Sequence, residues 1–334
     1  MPQQPFFTQL LTTPLKDIIP GLGDSGRVKT VKTTDTIAHL TGLMRCFPIR
    51  TVPVLDAKTG KLVGVVSLVD VAKVLTPQNT KLPIEYLSEK DFDMTQLSNA
   101  NEEMRLKTVG EVFDFLFDLE LPVIVWTKTL EDAINQLIHR DENNRRHRTL
   151  VILDVSERVV GTFSYVDALR IIRNGEGIGR FLGQTTANDV LTSKVVTHTQ
   201  NDCLQDASYT LGGLFTHLPI TTVKDGNIVI GIVDDVAVAT LEHQLLFNDL
   251  CKYPLGKMMT KISQKNTVKL DCEIKTLIGK FVDGYERPTA ILVGEYEGQE
   301  FTMAGIISYV DIFRKLLEFV NQMNGNLPNN NQPQ

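Results

Sequence analysis

The chain has little cysteine, no excess of basic charge and no long apolar run. Its four cysteines, Cys46, Cys203, Cys251 and Cys272, form no C-x-x-C pair, which predicts reduced, mostly buried thiols in an intracellular protein. The formal net charge of -6 argues against nucleic acid or an anionic membrane surface as a partner. No apolar run approaches 18 residues, and no basic segment precedes the first apolar patch, so we predict neither a membrane span nor a signal peptide.

The remaining composition is that of an ordinary globular protein. With 334 residues, 42% hydrophobic and 22% charged, the chain is long enough for two domains of about 150 residues each.

A seven-residue motif organises the sequence. GVVSLVD at 64–70 returns as GTFSYVD at 161–167 and as GIISYVD at 305–311. A fourth, altered copy is GIVDDVA at 231–237, where Asp234 stands in the place of the serine and Ala237 in the place of the aspartate. The chain therefore reads as four copies of one unit.

Each intact motif ends in S-x-x-D, and this pattern has two interpretations. The serines are Ser67, Ser164 and Ser308, and the aspartates are Asp70, Asp167 and Asp311. One interpretation is a helix start, with serine as N-cap and a carboxylate in the first turn. The other is a ribose site, because a carboxylate has two acceptor oxygens for the two ribose hydroxyls. The sequence leaves both open.

Within each repeat the hydrophobic periodicity changes in the same order. A short strand is predicted at 28–31, 123–126, 194–197 and 267–270. A helix with apolar residues three and four positions apart follows, and two β-branched strands come next. A closing helix begins at the S-x-x-D corner. The unit is therefore β-α-β-β-α, and because one unit is too small to bury both faces of its sheet, we expect the units to pair.

Two other patterns suggest sites that their surroundings exclude. The GLGDSG segment at 21–26 follows Pro20 and precedes a strand, whereas a dinucleotide-binding loop follows a strand and precedes a helix. Asp234 and Asp235 are adjacent acids without nearby histidine or cysteine, which is more typical of a helix cap than of a metal pair. We therefore expect no metal.

The chain resembles a known family, the tandem cystathionine β-synthase (CBS) domains. The resemblance covers roughly residues 14–320, and its strongest motifs are VPVLDAKTGKLVGVVSLVD, HRTLVILDVSERVVGTFSYVD, NDVLTSKVVT and GKMMTKIS. Among four-repeat proteins the chain looks most like the γ subunits of AMP-activated protein kinase. The resemblance implies an α/β fold of four β-α-β-β-α CBS repeats, paired into two Bateman modules that form a disc-like, pseudo-symmetric assembly.

The resemblance also implies a domain organisation. Residues 1–27 form an N-terminal segment, and repeats one and two occupy 28–175 with a linker at about 76–105. Repeats three and four occupy 176–323, and a polar tail at 324–334 is predicted to be disordered. The linker fits either a plain surface connection or a partner-binding segment.

Cations before the second strand of a repeat carry the implied phosphate contacts. Arg50, the pair His147 and Arg148, and Arg287 match the positions that face phosphates in the γ-like pattern. Arginine suits this task because its fork fits phosphate oxygens and it stays charged. The alternative for the basic run at 145–148 is a solvated charge cluster that balances the charge of nearby acidic residues.

One departure from the γ subunits concerns the ribose aspartates. The γ subunits lack this residue in repeat two, whereas this chain keeps Asp167 and has Ala237 in repeat three. The departure leaves room for a divergent relative, such as the CBS proteins that regulate phosphatases.

We therefore expect a non-catalytic regulatory protein that binds AMP, ADP or ATP between paired repeats and controls a partner kinase complex. The expected protein partners are kinase catalytic and scaffold subunits, or a phosphatase, and the expected location is the cytoplasm or the nucleus. The alternative is a scaffold that acts through protein contacts, with empty sites whose corners only cap helices. S-adenosylmethionine also stays open as a ligand. No nucleophile, base and orienting group form a recognisable arrangement, so an enzyme is the weakest interpretation.

Overall fold

The computed structural model describes most of all four repeats. The described residues are 6–23, 28–47, 49, 51–67, 70–71, 102–113, 121–140, 147–175, 179–211, 217–223, 226–234, 237–238, 252–284 and 287–323. Arg50, Asp235, Cys251, most of the predicted linker and the predicted tail lie outside them.

The first half of the chain contains repeats one and two. Its elements are α1 (Phe6–Thr12), α2 (Leu15–Ile18), β1 (Val31–Lys32), α3 (Ile37–Cys46), β2 (Thr51–Leu55), β3 (Leu62–Ser67), α4 (Glu102–Leu106), α5 (Val109–Phe113), β4 (Val123–Val125), α6 (Leu130–Ile138), β5 (Thr149–Leu153), β6 (Val159–Ser164) and α7 (Tyr165–Asn174).

The second half contains repeats three and four. Its elements are α8 (Gly179–Gln184), a 3-10 turn (Ala187–Asp189), β7 (His198–Thr199), α9 (Leu204–Leu211), β8 (His217–Thr221), β9 (Ile228–Asp234), a 3-10 turn (Leu255–Lys257), β10 (Thr260–Lys261), β11 (Thr267–Val268), α10 (Ile274–Val282), β12 (Ala290–Glu297), β13 (Glu300–Ser308) and α11 (Tyr309–Met323). The predicted β-α-β-β-α order is confirmed in repeats two and four, whereas only residues 70–71 and 237–238 of the closing helices of repeats one and three are described.

The four hairpins share one register. In each hairpin the motif glycine pairs with the fourth residue of the preceding strand: Gly64 with Val54, Gly161 with Ile152, Gly231 with Ile220, and Gly305 with Val293. Each hairpin also shifts register directly after that pair. Four bulges at the same position show that the sequence repeat is a structural repeat.

Strands of the described residues form three sheets. Repeats one and two each have a three-stranded sheet, in the orders β1-β2-β3 and β4-β5-β6. Repeats three and four share a seven-stranded sheet in the order β11-β12-β13-β9-β8-β7, with β10 paired to β9. Antiparallel pairing of Phe301 with Val229 joins the two repeats.

The segment before each repeat packs on the other member of its pair. In the first pair, the backbone N–H of Leu15 donates to the carbonyl of Lys128 at 2.8 Å, which fixes the segment before repeat one on repeat two. In return, the N–H of Gly110 donates to the carbonyl of Thr33 at 2.8 Å. The exchange satisfies backbone groups of both repeats, so each completes the other.

The second pair has the same exchange. The N–H of Ala187 donates to the carbonyl of Cys272 at 2.8 Å, so the segment before repeat three lies on repeat four. The N–H of Leu255 donates to the carbonyl of Asp202 at 2.9 Å, so the segment before repeat four lies on repeat three.

Repeats two and four share one hydrophobic core. It is built from α6, α7, α10 and α11, and it includes Leu11 and Leu15 from the N-terminal segment. The last helix contributes Ile312, Phe313 and Leu316 to this core, and all three are fully buried. The two pairs of repeats therefore meet through the helices of repeats two and four.

Two sequence predictions are wrong. The third opening strand is His198–Thr199 and not 194–197, because strand pairing with β8 begins at His198, whereas the preceding residues are unpaired and line a cavity. The thiols are not mostly buried among the three described cysteines, since Cys46 is exposed and Cys203 and Cys272 are half-buried. These three cysteines are free.

The described residues contain neither a candidate membrane span nor a metal-ligand cluster. No helix in the described ranges combines the length and apolar character that a membrane crossing needs. Among the same residues, no three histidine, cysteine, aspartate or glutamate side chains come together as metal ligands.

The exchange of segments between paired repeats predicts that alanine lowers stability by different amounts at two equivalent motif glycines. A Cβ on Gly305 would lie 2.6 Å from the backbone oxygen of Thr192, whereas a Cβ on Gly161 would meet the tip of the Leu22 side chain. A side-chain tip can rotate away and a paired backbone cannot. We expect Gly305→Ala to lower the free energy of unfolding by about 1 to 3 kcal/mol, and Gly161→Ala by less.

Urea denaturation measures both variants, with Gly42→Ala in α3 as the control. Nothing lies within 4 Å of a Cβ at Gly42, so alanine there should keep or raise stability, by up to about 1 kcal/mol. Equal stability of Gly305→Ala and the wild type would contradict the proposed close approach.

Candidate functional site

The three S-x-x-D corners have the same hydrogen bonds. At Asp167, the Oδ2 atom accepts from the backbone N–H of Ser164 at 2.9 Å and from its hydroxyl at 2.6 Å. The corresponding distances are 2.8 and 2.5 Å at Asp70, and 2.7 and 2.7 Å at Asp311. The carboxylate part of the cap is therefore present at all three corners, and the serine hydroxyl also accepts from the N–H of Asp70 at 3.3 Å and of Asp167 at 3.4 Å.

The cap uses only one oxygen of each carboxylate. The Oδ1 atom of Asp167 lies 3.9 Å from Nη1 of Arg170, and the Asp167 side chain is 43% exposed. The Oδ1 atom of Asp311 accepts from the hydroxyl of Thr192 at 3.2 Å. Because Oδ1 takes no part in the caps, each corner can hold a helix start and still offer an acceptor to a ligand hydroxyl.

The corner of repeat three, which lacks the S-x-x-D motif, is capped in another way. The Oδ1 atom of Asp234 accepts from the backbone N–H of Ala237 at 2.7 Å. The predicted cap role of Asp234 is thereby confirmed. This corner has no carboxylate at the position of Asp167, so it lacks the acceptor that the other three corners offer.

A cavity lies beside the corner of repeat four. Its volume is about 610 Å³, and its lining begins one residue after Thr192, whose hydroxyl contacts Asp311. The lining residues are Ser193, Val195, Val196, Thr197, Gly226, Asn227, Met303 and Ala304. The cavity therefore lies between the segment before β7, the residues directly before β9 and strand β13, and it is large enough for a small organic ligand.

Side chains of three repeats converge near the start of β8. His217 is the first residue of β8, and its Nε2 atom lies 2.7 Å from Oγ1 of Thr289, which directly precedes β12. Across the repeat-three hairpin, His217 pairs with Asp234. Arg148 directly precedes β5, and its carbonyl accepts from the N–H of Tyr165 at 3.3 Å, which ties it to the second corner.

The electrostatics of His217 reflect this environment. Burial and, to a smaller extent, the positive charge of Arg148 lower its pKa from 6.5 to about 4, while the carboxylate of Asp234 acts in the opposite direction. The imidazole is therefore neutral near pH 7.

The predicted phosphate residues differ in how the structure locates them. Arg50 is not among the described residues. His147 and Arg148 are half-buried and directly precede β5, with Arg148 close enough to influence His217. Arg287 is half-buried and lies three residues before Ala290, which pairs with the corner residue Ser308. Arg148 lies only one residue before Thr149, which pairs with the equivalent corner residue Ser164. Thr289 thus occupies the register position of Arg148.

The sequence patterns did not indicate His217, Thr289 or Thr192 as candidate site residues. The register of the repeats provides the signal for His217, because it occupies the position of Thr51 and Thr149 opposite the corner residue. Thr192 and Thr289 have no such signal, since each acts through a contact with another repeat.

The corners of repeats two and four lie close to one another. Tyr165 and Tyr309 each follow a corner serine, and their rings stack with centroids 4.4 Å apart. Near the other ends of α7 and α10, Nη1 of Arg173 lies 2.7 Å from Oδ2 of Asp283. Helix α7 therefore contacts α11 near its first residue and the C-terminal end of α10 near its last.

Comparison with known proteins agrees with this geometry. The CBS domain model matches residues 16–77, so the chain carries a CBS domain. It is also similar to the γ subunit of 5'-AMP-activated protein kinase from Dictyostelium discoideum, with 28% identity over 178 residues. The aligned region is 52% of this chain and 26% of that protein, so the match spans about a quarter of the relative's length.

Two solved structures share the fold over most of the chain. A protein from Methanocaldococcus jannaschii, described as a proposed archaeal homologue of the same γ subunit, has a TM-score of 0.58 at 16% identity, covering 91% of this chain and 99% of the other. An uncharacterised conserved protein from Pyrococcus horikoshii has a TM-score of 0.51 at 17% identity, covering 86% and 94%. Both structures therefore share their fold with this chain at low sequence identity.

The environment of His217 predicts a pH-dependent stability. Because its folded-state pKa is below the ordinary value of 6.5, the unfolded chain binds more protons as the pH falls, and the folded state loses stability. Between pH 7 and pH 5 we expect a loss of about 2 kcal/mol from this residue.

Denaturant titrations at several pH values measure this loss. His217→Gln, which retains a group able to contact Thr289, should reduce the pH dependence. His39→Gln is the control, because His39 is exposed on α3. The same pH dependence in the wild type and in His217→Gln would contradict the assignment.

Proposed function

We propose that this chain is a non-catalytic regulatory protein that binds adenine nucleotides at the S-x-x-D corners and transmits their charge state to a partner protein. The observation that carries the proposal is the repeated corner geometry. Three carboxylates use Oδ2 for a helix cap, and each leaves Oδ1 outside it. A ribose hydroxyl is a suitable donor for that oxygen.

The phosphate end of such a ligand requires cations. Arg148 and His147 directly precede β5, and the carbonyl of Arg148 is tied to the second corner through Tyr165. We assign phosphate contacts to these two residues, and to Arg50 and Arg287 by their places in the sequence. Nucleotides with different numbers of phosphates would then differ in how they engage the cations, which is the differential binding that a regulatory response requires.

The protein partner is the other part of the proposal. Similarity to the Dictyostelium γ subunit supports a partner complex of kinase catalytic and scaffold subunits. The stacked rings of Tyr165 and Tyr309 place the corners of repeats two and four in direct contact, which supports a coupling between the two sites.

Calorimetric titration with AMP, ADP, ATP and S-adenosylmethionine tests the ligand. We expect saturable binding of at least one adenine nucleotide. Asp167→Ala should weaken one class of sites by about tenfold or more, because a charge-assisted hydrogen bond is lost. It should also cost about 0.5 to 2 kcal/mol of stability, because the cap is lost.

Asp132→Ala is the matched control. Asp132 forms the same cap on α6, where its Oδ2 accepts from the N–H of Thr129 at 3.0 Å, but it does not lie at a motif corner. It should lose stability without losing affinity. If no nucleotide binds the intact protein, or if both variants bind as the wild type does, the corners act only as caps and the scaffold interpretation is correct.

A reconstitution experiment tests the partner. Purified kinase catalytic and scaffold subunits from the same source should bind this chain, and AMP should change kinase activity in the complex with the wild type but not with Asp167→Ala. Stable assembly with no nucleotide response would reject the sensing role and keep the scaffold role.

A further inference from the structure

A second cavity lies where helices α7 and α10 of repeats two and four meet. Its volume is about 930 Å³. Of its ten described lining residues, Asp283 is acidic and four are basic, namely Arg173, Lys265, Lys275 and Lys280. The same ten include no aromatic residue and no leucine, isoleucine, valine or methionine. We call this cavity the basic groove, and its lining suits a polar, anionic occupant.

The charge of the basic groove is opposite to that of the whole chain. Its described lining carries four positive charges and one negative, whereas the chain has a formal net charge of -6. The groove is therefore a local concentration of cations and not the result of a basic composition. A surface of this kind attracts negatively charged partners and fixes how they approach.

Contacts between the two repeats hold two of the cations in place. Nη1 of Arg173, on α7, lies 2.7 Å from Oδ2 of Asp283, at the end of α10. A Cβ on Gly279 would lie 3.3 Å from that oxygen and 3.5 Å from that nitrogen, so the glycine leaves room for the ion pair beside the helix. Nζ of Lys280 donates to the carbonyl of Gln264. Both cations have further N–H donors, which these contacts leave for a ligand.

Lys275 is a third cation of the groove, and the fold does not use its charge. It is exposed on the first turn of α10, and its side chain forms no ion pair or hydrogen bond with a described residue. Lys275 and Lys280 are five positions apart, which is about 7.5 Å along a helix axis. Alternate side chains of an extended peptide lie about 6.6 Å apart on one face. Acidic residues two positions apart in an extended segment therefore match the spacing of these lysines.

We propose that the basic groove is the docking site for an acidic, extended segment of a partner protein. Carboxylates of the segment contact Lys275, Lys280 and the remaining N–H donors of Arg173, as in other sites that recognise acidic motifs with basic clusters. Because Arg173 belongs to repeat two and the lysines to repeat four, the bound segment contacts both pairs of repeats where they meet. The docking site does not depend on nucleotide binding at the corners.

Fluorescence anisotropy in the absence of nucleotide tests the proposal. The probe is a fluorescein-labelled peptide of about eight glutamates, which exceeds the roughly 12 Å from Lys275 to Asp283 along α10. We expect saturable binding at low salt, and no binding of a glutamine peptide of the same length. Lys275→Glu should weaken binding about three- to tenfold, because repulsion replaces attraction. The variant should unfold at the same urea concentration as the wild type, since Lys275 is exposed.

Lys58→Glu is the matched control. It changes the net charge by the same amount, but Lys58 is exposed in the turn between β2 and β3 of repeat one. It should bind the glutamate peptide as the wild type does. Equal weakening by the two variants, or no binding of the peptide to the wild type, would overturn the proposal.

Two other occupants are also outcomes of the test. If inorganic triphosphate binds the wild type but not Lys275→Glu, and the glutamate peptide binds neither, the groove is a site for a small anion. If sedimentation shows a dimer that Lys275→Glu dissociates, the groove is covered by a second copy of the chain. Either result overturns the proposal and leaves the proposed nucleotide function untouched.

Discussion

One carboxylate oxygen at each strand-to-helix corner sets the geometry on which much of the molecule depends. Where Oδ2 of Asp167 accepts two hydrogen bonds from Ser164, it closes the first turn of α7 and satisfies groups that a helix start leaves unpaired. The same bonds fix the angle at which the closing helix leaves its strand. Because the helices of repeats two and four form the shared core, these caps also determine how the two pairs of repeats meet.

The motif that provides the cap also provides the place where neighbouring repeats join. Its glycine lies next to a bulge, and a backbone from the partner repeat passes over Gly305 so closely that a Cβ would meet the oxygen of Thr192. The next residue, Ile306, pairs with Thr192, whose hydroxyl reaches Asp311. One short motif therefore meets three demands: close approach at the glycine, burial along the strand and a cap at the corner. No repeat is completed by its own segment alone.

The fold was predictable from the sequence to the extent that it is local and periodic. Recurrence of the motif predicted four units, and apolar spacing predicted α6 and α10. The exchange of opening segments had no such signal, because it depends on contacts between residues far apart in the sequence, such as Leu15 and Lys128. Valines at 195 and 196 favoured a strand, but strand pairing also requires a neighbouring strand, and these residues line a cavity.

The candidate site was predictable only in part, for a similar reason. The corner aspartates follow from a repeated pattern in the sequence. His217, by contrast, is one residue in one repeat, and its partners Arg148 and Thr289 come from two other repeats. Only the three-dimensional register relates it to Thr149 and Thr51.

Repeat three also distinguishes the group that a helix start requires from the group that a ligand would require. There the side chain of Asp234 caps the N–H of Ala237, so a helix can begin at this corner without a carboxylate three residues later. The carboxylates of the other corners thus supply an oxygen beyond what a single cap bond requires. Asp234 has a second effect, because its charge opposes the lowering of the His217 pKa by burial and Arg148.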